Sequence, residues 1–123
     1  MPTILLVEDT EMNRDVISRR LERKGYTMLQ AHDGERGLDT ARSSAPDLIL
    51  MDMRLPGISG IDVVKLLKGQ PETRRIPIIA LTADAMDEDR DRALSAGCEG
   101  YSTKPVEFGL LFAHITAVLE RTN

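Results

Sequence analysis

The chain has 123 residues, of which 41% are hydrophobic, and it carries a formal net charge of -4. This hydrophobic content is sufficient for the core of one ordinary domain, which excludes a globally disordered chain. An acidic chain without a run of basic residues is poorly suited to bind nucleic acid by itself, because the nucleic-acid phosphates repel it.

Short β-type apolar runs alternate with helical patterns along the chain. In chain order, the predicted elements are a strand at 3–7, a helix at about 11–24, a strand at 27–31, a helix at 33–45, a strand at 48–51, a helix at 59–69, a strand at 77–81, a helix at about 87–97, a strand at 100–103 and a helix at about 106–121. The first, third and fourth strands are almost wholly apolar, which is typical of strands buried on both faces. This alternation predicts an α/β fold of the (βα)5 type, in which helices cover both faces of a five-stranded parallel sheet.

Three helices have apolar faces that predict how they pack. The first helix is expected to turn one apolar side toward the sheet, formed by Met12, Val16, Ile17 and Leu21. The last helix is expected to bury Phe108, Leu111, Phe112, Ile115 and Leu119. The fourth helix offers little more than Met86, Ala93 and Leu94, and such a thin apolar face is consistent with a mobile element.

Polar residues stand at the carboxyl ends of four of the five predicted strands. They are Glu8 and Asp9 after the first strand, Asp52 after the third, Thr82 after the fourth and Lys104 after the fifth. In open α/β sheets ligands bind outside the carboxyl ends of the strands. With the strand order 2-1-3-4-5, the first, third and fourth strands are neighbours, so these side chains are expected to converge.

Three carboxylates in one cleft repel each other, and a cation resolves that conflict. Mg²⁺ prefers oxygen ligands and is often held by one or two carboxylates with water and phosphate oxygens. Lys104 adds a positive charge, and Thr82 can donate a hydrogen bond to an oxyanion. The combination predicts a site for a phosphoryl group, with Asp52 as the nucleophile.

Four stretches have an order and spacing that resemble the receiver domain of two-component response regulators. They are "VEDTEMNR", "PDLILMDMRLPGISG", "LTA" and "KP". The resemblance covers essentially the whole chain and implies the flavodoxin-like receiver fold, with sheet order 2-1-3-4-5 and residues 1–123 as a single receiver domain.

The resemblance also implies the roles of the site residues. Asp52 is expected to accept a phosphoryl group from a histidine kinase or a histidine phosphotransfer protein, with Thr82 and Lys104 closing on that group. Mg²⁺, for which Mn²⁺ can substitute, is expected to be bound by Asp9, by Asp52 and by the backbone carbonyl of Arg54. Glu8 is expected to reach the ion through water.

Phosphorylation is expected to draw Thr82 inward and to let Tyr101, the switch aromatic, turn in. This would reshape the face made by the fourth helix, the fifth strand and the fifth helix, which regulates a partner protein and is a possible homodimer surface. The Lys104-Pro105 bond is similar to the cis peptide bond of the family.

Arg54 and Asp84 each lie two residues past a key position, and such positions in the family influence the lifetime of the phosphoryl group. The hypothesis is that the two side chains approach each other across the mouth of the cleft and screen the attacking water. The alternative is two exposed charges without a role, since exposed ion pairs are weak.

Location and chain organisation are predicted from what the sequence lacks. No apolar run approaches the roughly 20 residues of a membrane span, and the N-terminus does not resemble a signal peptide. A lone cysteine, Cys98, agrees with a reducing compartment and is expected to be a buried packing residue. A cytoplasmic protein is therefore expected. A stand-alone receiver is also expected, because Met1 lies just before the first strand and the chain ends about where the fold ends, although "EDTEMNRDV" also resembles receivers of hybrid kinases.

Two functions of other classes compete with the signalling switch. A Mg²⁺-dependent phosphatase with an aspartyl nucleophile usually has a second Asp two residues after the nucleophile, where this chain has Arg54. A flavodoxin-like cofactor binder would want a hydroxyl- and glycine-rich phosphate loop after the first strand, where this chain has "EDTEMN". Both features argue against these alternatives.

Overall fold

The computed structural model of the protein describes residues 2–82 and 87–122. Within these residues the strands are β1 (Thr3–Val7), β2 (Thr27–Ala31), β3 (Leu48–Asp52), β4 (Ile78–Thr82) and β5 (Gly100–Thr103). The helices are α1 (Glu11–Arg23), α2 (Gly34–Ser44), α3 (Gly60–Lys68), α4 (Asp87–Ala96) and α5 (Phe108–Thr122). The strands form one parallel sheet in the order β2-β1-β3-β4-β5. The predicted (βα)5 fold and its 2-1-3-4-5 strand order are thereby confirmed.

The core consists of two apolar layers, one on each face of the sheet. Because side chains alternate along a strand, Leu5 and Val7 of β1 lie in one layer while Ile4 and Leu6 lie in the other. The first layer packs against buried residues of α2, α3 and α4, and the second against buried residues of α1 and α5. The strands therefore pass between two helical layers and end together at one edge.

Three strand ends differ by one residue from the prediction, and one of them is the end of β4, which lies at Thr82 rather than Leu81. β3 extends through Asp52 because the β3–β4 ladder continues to the pair Asp52 and Leu81. β4 begins at Ile78 rather than Pro77, and proline has no N–H to give to a ladder. The carbonyl of Pro77 still contacts the neighbouring strand, because it accepts a hydrogen bond from the Ile49 N–H at 2.9 Å. The predicted nucleophile is thus the last residue of a buried strand.

The prediction for α1 was wrong for two of its four residues. Ile17 and Leu21 are buried, but Met12 is 74% exposed and Val16 is 48% exposed. At about 100° per residue, positions 12 and 16 lie about 100° or more around the helix from positions 17 and 21. The four residues therefore form two separate stripes, and only one of them faces the sheet.

The last helix begins two residues later than predicted, at Phe108. The carboxylate of Glu107 accepts hydrogen bonds from the N–H groups of Gly109 and Leu110, which closes the first turn. Among the predicted core residues, Leu111 and Ile115 are fully buried, whereas Phe108, Phe112 and Leu119 are half-buried; the prediction missed Val118, which is buried.

Arg20 of α1 and Lys24, the residue directly after α1, cover the half-buried aromatic rings of α5. The guanidinium carbon of Arg20 lies 4.3 Å from the ring centroid of Phe108, and Lys24 Nζ lies 4.8 Å from that of Phe112. Both distances are within the range of cation–π interactions. These contacts join the C-terminal half of α1 to the first two turns of α5.

The predicted apolar face of α4 can be followed only in part. Ala93 is buried and Leu94 is 43% exposed, while Met86 lies outside the described residues. Cys98, just after the helix, is buried, and burial raises the pKa of its thiol to about 12. A buried, protonated thiol is a packing residue, as predicted.

Candidate functional site

The strands β1, β3 and β4 end side by side and deliver polar residues to one edge of the sheet. Val7 of β1 pairs with Met51 of β3, and Asp52 pairs with Leu81 of β4. Glu8 follows Val7 directly, and its N–H is held by the Ala31 carbonyl at 3.0 Å. The adjacent strand ends therefore bring Glu8 and Asp52 together, although they lie 44 positions apart in the sequence.

Three carboxylates meet at this edge. Glu8, Asp9 and Asp52 each offer an oxygen, and these oxygens all lie within 4.8 Å of one another. Glu8 and Asp52 are buried, with 0% and 3% of their surface exposed, whereas Asp9 is exposed. Two buried carboxylates beside a third are costly unless a positive charge or a proton compensates them.

Lys104 supplies a positive charge from β5's carboxyl end. Its Nζ donates to Glu8 Oε1 at 2.6 Å and to Asp52 Oδ2 at 3.1 Å. The lysine backbone is fixed as well, because its N–H donates to the Thr82 carbonyl at 2.7 Å and the following bond to Pro105 is cis. The shorter contact is with Glu8, an ion pair across 96 positions that the sequence did not suggest.

The folded structure shifts the pKa values of Glu8 and Asp52 in opposite directions from their ordinary values. Burial and the neighbouring Glu8 carboxylate raise the pKa of Asp52 to about 7, against the opposing effects of the Arg54 N–H and the Lys104 ammonium. Burial also acts to raise the pKa of Glu8, but its contacts with Asp52 and Lys104 outweigh burial and lower that pKa to about 2. Without a cation, Glu8 and Asp52 are therefore expected to share one proton below neutral pH.

Two residues at the start of α1 contact Glu8 and Asp9, which together are called the acidic loop below. The sequence analysis assigned a role to neither of these two α1 residues. Asn13 Nδ2 donates to Glu8 Oε1 at 3.0 Å. Arg14 Nη1 donates to the Glu8 carbonyl at 2.8 Å and to the Asp9 carbonyl at 3.0 Å. Both residues belong to the "VEDTEMNR" stretch, but the side-chain direction of a polar residue in a helical first turn is not readable from the sequence.

Arg54 and Asp84, the predicted pair at the cleft mouth, are only partly visible. The Arg54 N–H donates to Asp52 Oδ1 at 3.0 Å, and the Arg54 residue is exposed. Asp84 lies outside the described residues. The Arg54 backbone thus orients one oxygen of Asp52 while Lys104 binds the other, and the proposed approach of the two charged side chains stays a prediction.

Gly60 holds the chain after Asp52 against the start of α3. A Cβ at this position would collide with the backbone carbonyl oxygen of Asp52 and would lie 2.7 Å from the Cα of Met53. The Gly60 N–H donates to the Met53 carbonyl at 3.3 Å, and Ser59 caps the helix by accepting from the Asp62 N–H. Only glycine permits this close approach, so the "PGISG" segment fixes the rim beside Asp52.

Thr82 and Tyr101, the predicted switch residues, lie on neighbouring strands. Thr82 ends β4 and is buried, and it pairs with Thr103 of β5. Tyr101 is half-buried and packs against the core layer of α2, α3 and α4. It also lines a cavity of about 480 Å³ that lies between β5 and α5 and reaches Leu94 of α4.

The residues of the acidic cluster fit a divalent cation. Within residues 2–82 and 87–122, no hydrogen bond reaches Glu8 Oε2, although this atom is buried. Three carboxylates give the oxygen ligands that a hard cation such as Mg²⁺ prefers. A bound cation could take the place of the proton on Asp52 and satisfy the unpaired oxygen of Glu8.

The sequence of this chain matches the family model of the response regulator receiver domain over residues 4–116. The polar-differentiation response regulator DivK of Brucella anthropi is 44% identical over 104 residues, which is 85% of this chain and 85% of that protein. A crystal structure of a putative response regulator from Chloroflexus aurantiacus superimposes with a TM-score of 0.93 at 29% identity, over 97% of this chain and 98% of that one.

A third similar protein binds a metal ion in its own active site cleft. It is the receiver domain of a sensor histidine kinase from Pseudomonas aeruginosa, with a magnesium ion coordinated in its active site cleft. Its TM-score is 0.83 and its identity 38%, over 98% of this chain and 95% of that one. In the part of the chain that the structure describes, no helix is long and apolar enough to cross a membrane. Fold, sequence match and site together show that the chain belongs to the response regulator receiver domain family of two-component signalling proteins.

Proposed function

We propose that this protein is a phosphorylation-dependent signalling switch in which Asp52 accepts the phosphoryl group. The observation that carries the proposal is the position of Asp52, buried at the end of β3 between Glu8 and Lys104. Receiver domains interact with histidine kinases and downstream targets, so a phosphohistidine of a kinase or phosphotransfer protein is the proposed donor. The Mg²⁺-dependent phosphatase alternative finds no support among the similar proteins.

Asp9, Asp52 and the backbone carbonyl of Arg54 are the proposed protein ligands of Mg²⁺, for which Mn²⁺ could substitute. Glu8 would contribute through water or through its unpaired Oε2. Bound there, the cation would neutralise the carboxylates and the charge on the phosphoryl oxygens. The cation's affinity is expected to fall below pH 7, because a proton on Asp52 competes with it.

The transfer itself needs an ionised, oriented carboxylate. An oxygen of Asp52 would bond to phosphorus while the bond from phosphorus to the donor's imidazole nitrogen breaks. Lys104 and the Arg54 N–H hold the two oxygens of Asp52, which limits the geometries of attack. Lys104 and the Thr82 hydroxyl would then bind the transferred oxygens. Later attack of water on phosphorus would return Asp52 and release phosphate.

Thr82 and Tyr101 are the proposed route from the phosphoryl group to a partner. Movement of Thr82 toward the phosphoryl group would empty space beside β5 into which Tyr101 turns. Tyr101 borders the cavity between β5 and α5, so its rotation would change the shape of the α4-β5-α5 face. A protein target, or a second copy of the chain, would bind that face.

Arg54 and Asp84 remain the proposed regulators of phosphoryl lifetime, which would be read from the decay of phosphorylated Asp52 in the Arg54→Ala variant. A cytoplasmic receiver that does not bind nucleic acid directly also remains a prediction.

The proposal is tested by incubating the protein with a small phosphodonor, with and without Mg²⁺, and measuring intact mass. We expect wild type with Mg²⁺ to gain the mass of one phosphoryl group, and Asp52→Asn or metal-free wild type to gain almost none. Asp39→Asn is the matched control, because Asp39 on α2 has a side chain that is 82% exposed. Absence of the mass gain in wild type with every divalent cation would refute the proposal.

A further inference from the structure

Glu8 has an asymmetric carboxylate, and α1 creates part of that asymmetry. Its Oε1 accepts two hydrogen bonds, from Lys104 at 2.6 Å and from Asn13 at 3.0 Å. Its Oε2 is buried and receives none from the described residues. Two donors on one oxygen restrict rotation of the carboxylate, which leaves Oε2 as the Glu8 oxygen available to a cation.

The backbone that carries Glu8 and Asp9 is held from the same helix. Arg14 Nη1 donates to both carbonyls, at 2.8 and 3.0 Å. The side chain of Thr10, the residue at the N-cap of α1, makes no capping hydrogen bond. Arg14 therefore replaces a conventional cap as the tie between α1 and the acidic loop, and it fixes the direction in which both acids leave the backbone.

We propose that Asn13 and Arg14 are positioning residues that set the affinity of the acidic cluster for a divalent cation. Asn13 orients the Glu8 carboxylate, and Arg14 fixes the loop that presents Glu8 and Asp9. Residues that orient metal ligands in this way typically change metal affinity by about 10–100-fold when they are replaced. The inference rests on the proposed function, because it assumes that the cluster binds the cation.

The charges of Arg14 and Asn13 allow a positioning role to be distinguished from a purely electrostatic effect on cation binding. Arg14 is a cation bound to the backbone carbonyls of Glu8 and Asp9, so its removal would strengthen cation binding if only its charge mattered. Positioning predicts the opposite, namely weaker binding in Arg14→Gln. Asn13 is neutral, so Asn13→Ala changes the hydrogen bond to Glu8 without changing the charge of the site.

The test is a titration of the unphosphorylated protein with Mn²⁺ alone, in which free Mn²⁺ is measured by electron paramagnetic resonance, followed by competition with Mg²⁺. We expect Asn13→Ala to bind about tenfold more weakly than wild type, Asn13→Gln to recover part of the loss and Arg14→Gln to bind more weakly. Met12→Ala is the matched control, since Met12 lies in the same turn with 74% exposure.

Urea unfolding of the metal-free variants checks that the loss is not one of folding. Unchanged affinity in Asn13→Ala, or tighter binding in Arg14→Gln, would overturn the inference while leaving the phosphorylation assay unaffected. Absence of any cation binding by wild type would overturn both the inference and the proposed metal site. A loss shared equally by Met12→Ala would show that the helix, rather than its contacts with the acidic loop, is responsible.

Discussion

Replacing Lys104 by methionine should lower the free energy of unfolding by about 3–5 kcal/mol at pH 8 in the absence of divalent cations. The lysine contacts Glu8 at 2.6 Å and Asp52 at 3.1 Å, and its removal leaves two buried carboxylates without that positive charge. The loss should shrink as the pH falls, because protonation of either carboxylate removes the unpaired charge. Urea unfolding at several pH values measures both effects.

A double variant shows whether the unpaired charge is the cause. Glu8→Gln combined with Lys104→Met removes both members of the closer pair and should recover much of the stability lost in the single variant. Lys65→Met, which replaces an exposed lysine on α3, is the control and should change stability little. A Lys104→Met loss that is the same at pH 5 and pH 8, or that the double variant does not reduce, would contradict this explanation.

The Asp52→Asn variant should become more stable relative to wild type as the pH rises from about 4 to above 7, without divalent cations. Burial and Glu8 raise the pKa of Asp52 from 3.8 to about 7, so the folded protein keeps a proton that the unfolded chain has already released. Folding therefore becomes less favourable for wild type as the pH rises through this range. Asparagine cannot ionise, so the stability of the variant does not fall in this way as the pH rises.

The expected size of this effect follows from the pKa shift. One pKa unit corresponds to about 1.4 kcal/mol, so the difference between the variant and wild type should grow by on the order of 2–4 kcal/mol between pH 4 and pH 8. Glu8, whose pKa is lowered, changes stability only at more acidic pH. Added Mg²⁺ should reduce the difference by stabilising wild type. The exposed Asp39→Asn variant should show no such trend, and a pH-independent difference for Asp52→Asn would be incompatible with the raised pKa.

The fold was predictable because local patterns and chain order agreed. Three short, almost wholly apolar runs alternate with helical patterns, which favours strands buried on both faces and therefore helices on each side of the sheet. The position of Asp52 at the edge of the sheet was predictable because it directly follows such an apolar run. The similar proteins then confirmed the family that the motif spacing had indicated.

The predictions that were wrong, and the contacts that were not predicted, depend on geometry that residue spacing in the sequence does not determine. Met12 and Val16 were assigned to the core because they are apolar, but they lie on a different side of α1 from Ile17 and Leu21. The choice of Glu8 as the nearer partner of Lys104 depends on side-chain distances of a few tenths of an ångström. The contact of Asn13 with Glu8 likewise depends on the direction of its side chain in the first turn of α1, which the sequence does not show.

The central claim is that Asp52 accepts the phosphoryl group, and its most direct test is to identify the residue that carries this group. Wild-type protein phosphorylated with Mg²⁺ is treated with borohydride, which reduces an aspartyl phosphate to homoserine, and is then digested and sequenced by mass spectrometry. We predict conversion at Asp52 and at no other acid, and none in protein that received no phosphodonor. Phosphate retained on Thr82 or another hydroxyl, or reduction at a different aspartate, would contradict the assignment of Asp52 as the phosphoacceptor.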